Sequence, residues 1–271
     1  MTLFGLKMQY IYASPRQIKI RSKIQNTLDC PTPTSVSKDM NNAVPAVRKA
    51  ASILEVTTEL RKMATKIGVN IDQNKLGLFG TYYQELVFWN RQVNLVSERS
   101  AGELLERHFI DSLTTLPLLK QEAGFLLDLG SGGGFPGIPL KIMLPEMKVY
   151  LVDASRKKTS FLSHIVRILN LTETIVIRER IEDMAAREEF LAKFDTVISR
   201  AALKLDQLLV FSSSFLKQGG QLLAMKGTEA PSEIRAAEAT AQAVGMSFSC
   251  DASPGSAINN SPKKIIIYNR L

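Results

Sequence analysis

Ten residues, Asp128-Leu129-Gly130-Ser131-Gly132-Gly133-Gly134-Phe135-Pro136-Gly137, restrict what this chain can fold into more than any others. They follow the apolar run Phe125–Leu129 and precede a helical pattern at Pro139–Leu144. Glycines at 130, 132 and 134 let the backbone turn sharply out of a strand, and no Cβ keeps a ligand away from it. Strand, glycine loop and helix in that order open a βαβ unit. In a parallel sheet such a loop lies at the carboxyl edge, beside the switch point where doubly wound folds bind nucleotide-like ligands.

The surrounding pattern agrees. Apolar runs at Phe125–Leu129, Val149–Val152, Thr174–Ile177, Thr196–Ser199, Gln221–Met225, Ser247–Cys250 and Lys264–Tyr268 read as seven strands. Helical patterns fall between them at Pro139–Leu144, Arg156–Leu169, Lys204–Leu216 and Pro231–Val244. The class is therefore α/β, with a mostly parallel sheet covered on both faces. The stretch from Asp251 to Pro262 has no helical pattern, so the last strand is expected to pair antiparallel. Upstream, Ile53, Val56, Leu60, Met63 and Ile67, then Leu76, Phe79, Tyr83 and Leu86, then Leu104 to Leu116, recur at helical spacing. These predict a helical cap over 51–120 ahead of a ligand-binding domain over 121–271. Residues 1–50 read as a disordered basic extension. An unused upstream start, an organellar transit peptide and a nucleic-acid arm all suit its composition.

Charge narrows the partner. Lys and Arg number 34 against 26 acids, a net +8, and residues 1–40 supply +4 of it. A basic balance favours a polyanion such as nucleic acid. Two cysteines and two histidines offer no metal-ligand spacing, so no metal is expected, and a reducing cytoplasm is the default compartment. No window has the apolar length of a membrane span.

The choice of cofactor turns on Asp128. Gly132-x-Gly134-x-x-Gly137 also fits the dinucleotide fingerprint, yet an acid just before the loop opposes a pyrophosphate and suits the ammonium and sulfonium of S-adenosylmethionine. Asp153, ending the second strand, is placed to accept both hydroxyls of an adenosine ribose, and equally to cap the helix starting near Arg156. Glu182 is placed for an adenine amino group, with Ile181 packing on the ring; a solvated helix start suits Glu182 as well. An NAD-linked oxidoreductase and a catalytically silent RNA-binding module are the other classes compatible with these residues.

Five blocks then converge on one family. Trp89–Leu95, Arg107–Leu113, Asp128–Pro139, Ile198–Ala201 and Ala224–Gly227 resemble the RsmG family, also called GidB, and the similarity runs from about Ile53 to the C-terminus. The resemblance implies a class I, Rossmann-like methyltransferase placing a methyl group on N7 of one guanine, conventionally position 527, of 16S ribosomal RNA. It implies cofactor contacts at Gly130, Phe135, Ile181, Glu182 and Arg200, with Asp153 at the ribose. These join Asp128 and Gly132 from the residue-level reading. Gly133 stands where many relatives carry Ala or Pro.

The chemistry fits what is missing. Guanine N7 is a bare lone pair at neutral pH, so attack requires alignment and exclusion of water, with no proton removed first. Neither Cys30 nor Cys250 is placed as the nucleophile that pyrimidine C5 methylation needs. Ser199-Arg200-Ala201-Ala202 is not the Asn-Pro-Pro-Tyr type of tetrapeptide found in amine methyltransferases. Arg200 has the planar fork to bind a methionine carboxylate or a phosphate, and a structural salt bridge suits it as well. Asn94, Arg107, His108 and Asp111 are candidates for a substrate-facing group on the cap, with a structural role the alternative for His108. Arg156, Lys157, Lys158 and Lys226 are candidates for RNA phosphates, with a solvated charged face the alternative. Trp89 is expected to pack the cap on the main domain, with base stacking the alternative.

Overall fold

A computed structural model describes residues 52–97, 100–200, 202–227, 229–252 and 264–271. The 1–50 extension and its share of the charge lie outside these. The described residues form one compact unit.

The sheet has seven strands in the order β3-β2-β1-β4-β5-β7-β6. They are β1 (Gly124–Leu129), β2 (Met147–Val152), β3 (Thr174–Ile177), β4 (Phe194–Arg200), β5 (Leu216–Lys226), β6 (Met246–Ala252) and β7 (Lys264–Arg270). The first five are parallel, and β7 runs antiparallel to both β5 and β6. The chain winds outward from β1 to β3 and then returns to place β4 on the other side of β1. The loop leaving β1 therefore opens at the switch point.

Two apolar layers follow from strand alternation. Leu126, Val149, Leu151, Ile198 and Leu223 face α1 (Ile53–Lys66), α2 (Gln73–Asn90), α5 (Gly137–Met143) and α6 (Arg156–Ile168). Leu127, Leu129, Val152, Val197, Leu222 and Tyr268 face α7 (Ile181–Ala185), α8 (Leu205–Phe215) and α9 (Ala230–Ala243). The helices at the start of the unit thus cover one face of the sheet. Ser52 and Glu55 start α1 with a reciprocal capping box, the serine hydroxyl accepting the Glu55 N–H at 3.2 Å. Asp72 caps α2 through the Lys75 N–H at 2.8 Å. Trp89 packs α2 on α6, its ring 5.7 Å from Phe161 and 5.2 Å from His164.

The third helical stretch is irregular. It runs as α3 (Ala101–Leu104), a π-helical turn (Leu105–Ile110) and α4 (Asp111–Leu113). Apolar spacing signals a helix there but not its widened turn, since π turns arise mostly as single-turn interruptions of α-helices.

Candidate active site

The loop after β1 is fixed on three sides. Asp153, at the end of β2, accepts the Gly132 N–H at 3.0 Å through one carboxylate oxygen and the Ser155 N–H at 2.8 Å through the other. From α2, the Tyr82 hydroxyl donates to the Gly133 carbonyl at 2.5 Å. Beneath the loop, Asp128 accepts the Gly137 N–H at 2.9 Å. Gly130 and Gly132 have φ of +77° and +58°, in the region that favours glycine. A Cβ on Gly130 would lie 2.5 Å from that of Ala202, whereas one on Gly132 would meet only the Gly130 oxygen, at 3.9 Å. Gly130 therefore packs the loop on the chain beyond β4, and Gly132 marks its open side.

Asp128 departs from its expected place. Strand parity puts it on the side of Leu126, so its carboxyl is wholly buried under α5 instead of lining the loop's ligand face. One oxygen, Oδ1, has no hydrogen-bond partner. Burial pushes the carboxyl up to about 7, against the opposing pull of the Gly137 N–H and the Arg200 charge. Phe135 is likewise buried, ringed by Tyr82, His108 and Phe109 at 4.9–5.2 Å, so its side chain is a core group and only its backbone borders the loop. Ser155, not Asp153, caps α6. That leaves Asp153 an anchor of the loop, half-buried and 3.8 Å from Lys158 Nζ.

Ile181 and Glu182 start α7, the isoleucine packed against the α8 layer and the glutamate exposed. On the other side of β1, Arg200 ends β4. Its guanidinium donates to the Arg107 carbonyl at 2.9 Å and to His108 Nδ1 at 2.7 Å, stands 3.7 Å from Asp111 and lies 5.3 Å over the Phe135 ring. Arg107, His108, Asp111 and Arg200 together form one wall of a cavity of about 920 Å³. Its other walls include Leu203, Lys204, Gln207 and the β5 end at Met225 and Lys226.

The remaining expectations divide. Arg156 and Lys157 are exposed at the start of α6, and Asn94 is exposed on the turn after α2. Its neighbour Asn90 instead braces that turn, bonding the Leu95 and Val96 amides at 2.7 and 3.0 Å. Lys226 is not placed to meet RNA: its ammonium is committed to the Leu203 carbonyl at 2.6 Å and to Glu233 at 2.7 Å, with its side chain 7% exposed. Glu233 accepts the Leu205 N–H as well, at 2.9 Å, and so ties α8, β5 and α9 together. Tyr82 escaped sequence reading. The signal that identifies it is a tyrosine among buried helical positions, whose hydroxyl demands a partner.

The residues present fit an adenosyl ligand. A glycine loop opens on one side at Gly132, and a carboxylate at the end of β2 lies against it. This sheet order, with that loop at its switch point, defines a class I S-adenosylmethionine-dependent methyltransferase. The family can be stated as well. Residues 75–250 match the family model described as rRNA small subunit methyltransferase G. The chain is 43% identical over 175 residues to the ribosomal RNA small subunit methyltransferase G of Syntrophus aciditrophicus, covering 64% of this chain and 73% of that one. With the proteins of the same name from Desulfitobacterium hafniense and Carboxydothermus hydrogenoformans the figures are 40% over 169 residues (62% and 70%) and 37% over 188 (69% and 80%). The chain belongs to the rRNA small subunit methyltransferase G family, and the oxidoreductase reading is not favoured. No helix among the described residues is long and apolar enough to cross a membrane.

Proposed function

We propose that this chain methylates N7 of a guanine in small-subunit ribosomal RNA, at the position conventionally numbered 527, and works in the cytoplasm. The observation that carries the reading is that the glycine loop held by Asp153 abuts, at Gly130, Ala202, which itself lines the cavity walled by Arg107, His108, Asp111 and Arg200. When bound, S-adenosylmethionine supplies an electrophilic methyl group on a sulfonium. The protein's own work is placement.

Asp153 retains lone pairs for two ribose hydroxyls beside the loop it anchors, because each carboxylate oxygen accepts more than one hydrogen bond. Ile181 offers an apolar surface to an adenine and Glu182 an acceptor for its amino group. Arg200 has five N–H donors, of which two are engaged by Arg107 and His108, so its fork can also hold a carboxylate. The Asp128 carboxyl lies behind the loop and acts on a cationic ligand through space, without touching it. Arg107 and Asp111 face the cavity that receives the base, and the exposed Arg156 and Lys157 meet backbone phosphates. Attack by N7 needs no base, which agrees with a cavity in which Asp111 and His108 lie against Arg200 and Glu233 is paired with Lys226.

The test is to incubate the protein with small ribosomal subunits and S-adenosylmethionine, then cleave the RNA with borohydride and aniline, which break the strand at 7-methylguanosine. A break at the target guanine, absent without enzyme, is expected. Methyl incorporation with no such break refutes N7 as the acceptor.

A further inference from the structure

We infer that His108 is a positioning residue: as a neutral ring accepting an N–H of Arg200, it fixes the guanidinium at the end of β4 for the cofactor's carboxylate. The inference rests on the functional reading above and goes beyond it in naming what holds Arg200 in place. Arginine only donates, so the 2.7 Å contact makes His108 Nδ1 an acceptor and puts the ring's proton on Nε2. A second acceptor, the Arg107 carbonyl, is adjacent in the chain, and both belong to the π-helical turn Leu105–Ile110. Such turns recur at functional sites. Here the turn presents a side-chain acceptor and a main-chain acceptor to one guanidinium.

The geometry resists slack. His108 is 8% exposed and its ring packs 4.9 Å from Phe135, whose ring also lies 5.3 Å from the Arg200 guanidinium. His108, Phe135 and Arg200 therefore fix one another from π-helical turn, glycine loop and strand end. A planar fork recognises a carboxylate only when its orientation is set, so the residue that sets it governs affinity without touching the ligand.

Two substitutions separate the acceptor from the ring. His108→Asn keeps an acceptor oxygen near the position of Nδ1 and loses the aromatic contact. His108→Phe keeps the ring against Phe135 and removes the acceptor. Calorimetric titration with S-adenosylhomocysteine is expected to show His108→Asn within about threefold of the unmutated protein and His108→Phe weaker by about tenfold or more. In an Arg200→Ala background, His108→Phe adds less than about twofold, because the group it acts through is gone. Tighter binding by His108→Phe than by His108→Asn, or the same loss with and without Arg200, overturns the inference. Failure of the unmutated protein to bind S-adenosylhomocysteine instead refutes the functional reading. Should either variant not fold, the 15N shifts of the His108 ring in the unmutated protein decide. An unprotonated Nδ1 with protonated Nε2 at neutral pH is expected, and a protonated Nδ1 overturns the inference.

Discussion

The hydroxyl of Tyr82 donates to the carbonyl of Gly133 at 2.5 Å, joining a helix near the start of the folded unit to the loop that opens at the switch point. Tyr82→Phe keeps the ring and its stacking on Phe135, 5.2 Å away, and leaves a buried carbonyl unpaired. A loss of about 1–3 kcal/mol in urea unfolding is expected. Weaker binding of S-adenosylhomocysteine should accompany it, since the carbonyl belongs to the loop. Unchanged stability and affinity would show that the loop is held without this bond.

Asp153→Ala removes the acceptor of the Gly132 N–H and the proposed partner of the ribose hydroxyls. Charged acceptors contribute about 1.5–3 kcal/mol per bond, so cofactor affinity should fall at least roughly tenfold. Titration calorimetry reads this directly, and an affinity within about twofold of the unmutated protein would exclude Asp153 from the site.

Gly133 in the loop and Gly137 at the start of α5 should respond in opposite ways. A Cβ on Gly133 has ordinary contacts, the nearest atom being Leu86 Cδ1 at 3.4 Å, so Gly133→Ala is expected to raise stability by about 0.4–1 kcal/mol by restricting the unfolded chain. On Gly137 a Cβ would lie 2.4 Å from Leu151 Cδ2 and 2.7 Å from Asp128 Oδ2, and Gly137→Ala should destabilise by more than Gly133→Ala gains. Paired denaturant midpoints test both signs.

Asp128 gives the fold a pH dependence of defined sign. Its carboxyl is pushed from an ordinary value near 3.8 up to about 7 in the folded protein, so the folded state binds the extra proton between those limits. The stabilisation it provides is complete below about 4 and is lost as pH rises through about 7, with a slope approaching about 1.4 kcal/mol per pH unit in between. Asp128→Asn does not titrate. The stability of the variant relative to the unmutated protein should therefore increase from pH 4 to pH 7; a constant difference across that range would refute the burial argument.

Lysines and arginines at the site should separate by role. Lys226→Ala leaves Glu233 and the Leu203 carbonyl without their cation, and a destabilisation of about 1–3 kcal/mol is expected, with RNA affinity little changed in the folded fraction. Arg156→Ala and Lys157→Ala, at exposed positions, should leave stability within about 0.5 kcal/mol. Each should lower the salt dependence of RNA binding by about one phosphate contact. Filter binding at several salt concentrations distinguishes the groups.

Much of this was legible in the residues because periodicity reports burial. All seven strands fall where the apolar runs place them, and the loop from Gly130 to Gly137 could be located from glycine spacing alone. The orientation of Asp128 was a matter of strand parity: it shares a face with Leu126, and its expected place at the ligand ignored that alternation. Lys226 looked like a phosphate contact because charge in a sequence carries no partner; Glu233, which neutralises it, comes from the next helix. The helical pattern marks Tyr82 as buried with a hydroxyl to satisfy, but the identity of its partner, like the π-helical turn, depends on what lies opposite and is not in the one-dimensional pattern.

The position of β7 has a consequence for how the fold is reached. It is made after β6 yet lies between β5 and β6, pairing both. In a chain emerging from the ribosome, residues 246–252 have no neighbour to bond until residues 264–270 follow. Until then the growing sheet ends at the exposed edge of β5, open to pairing with another chain.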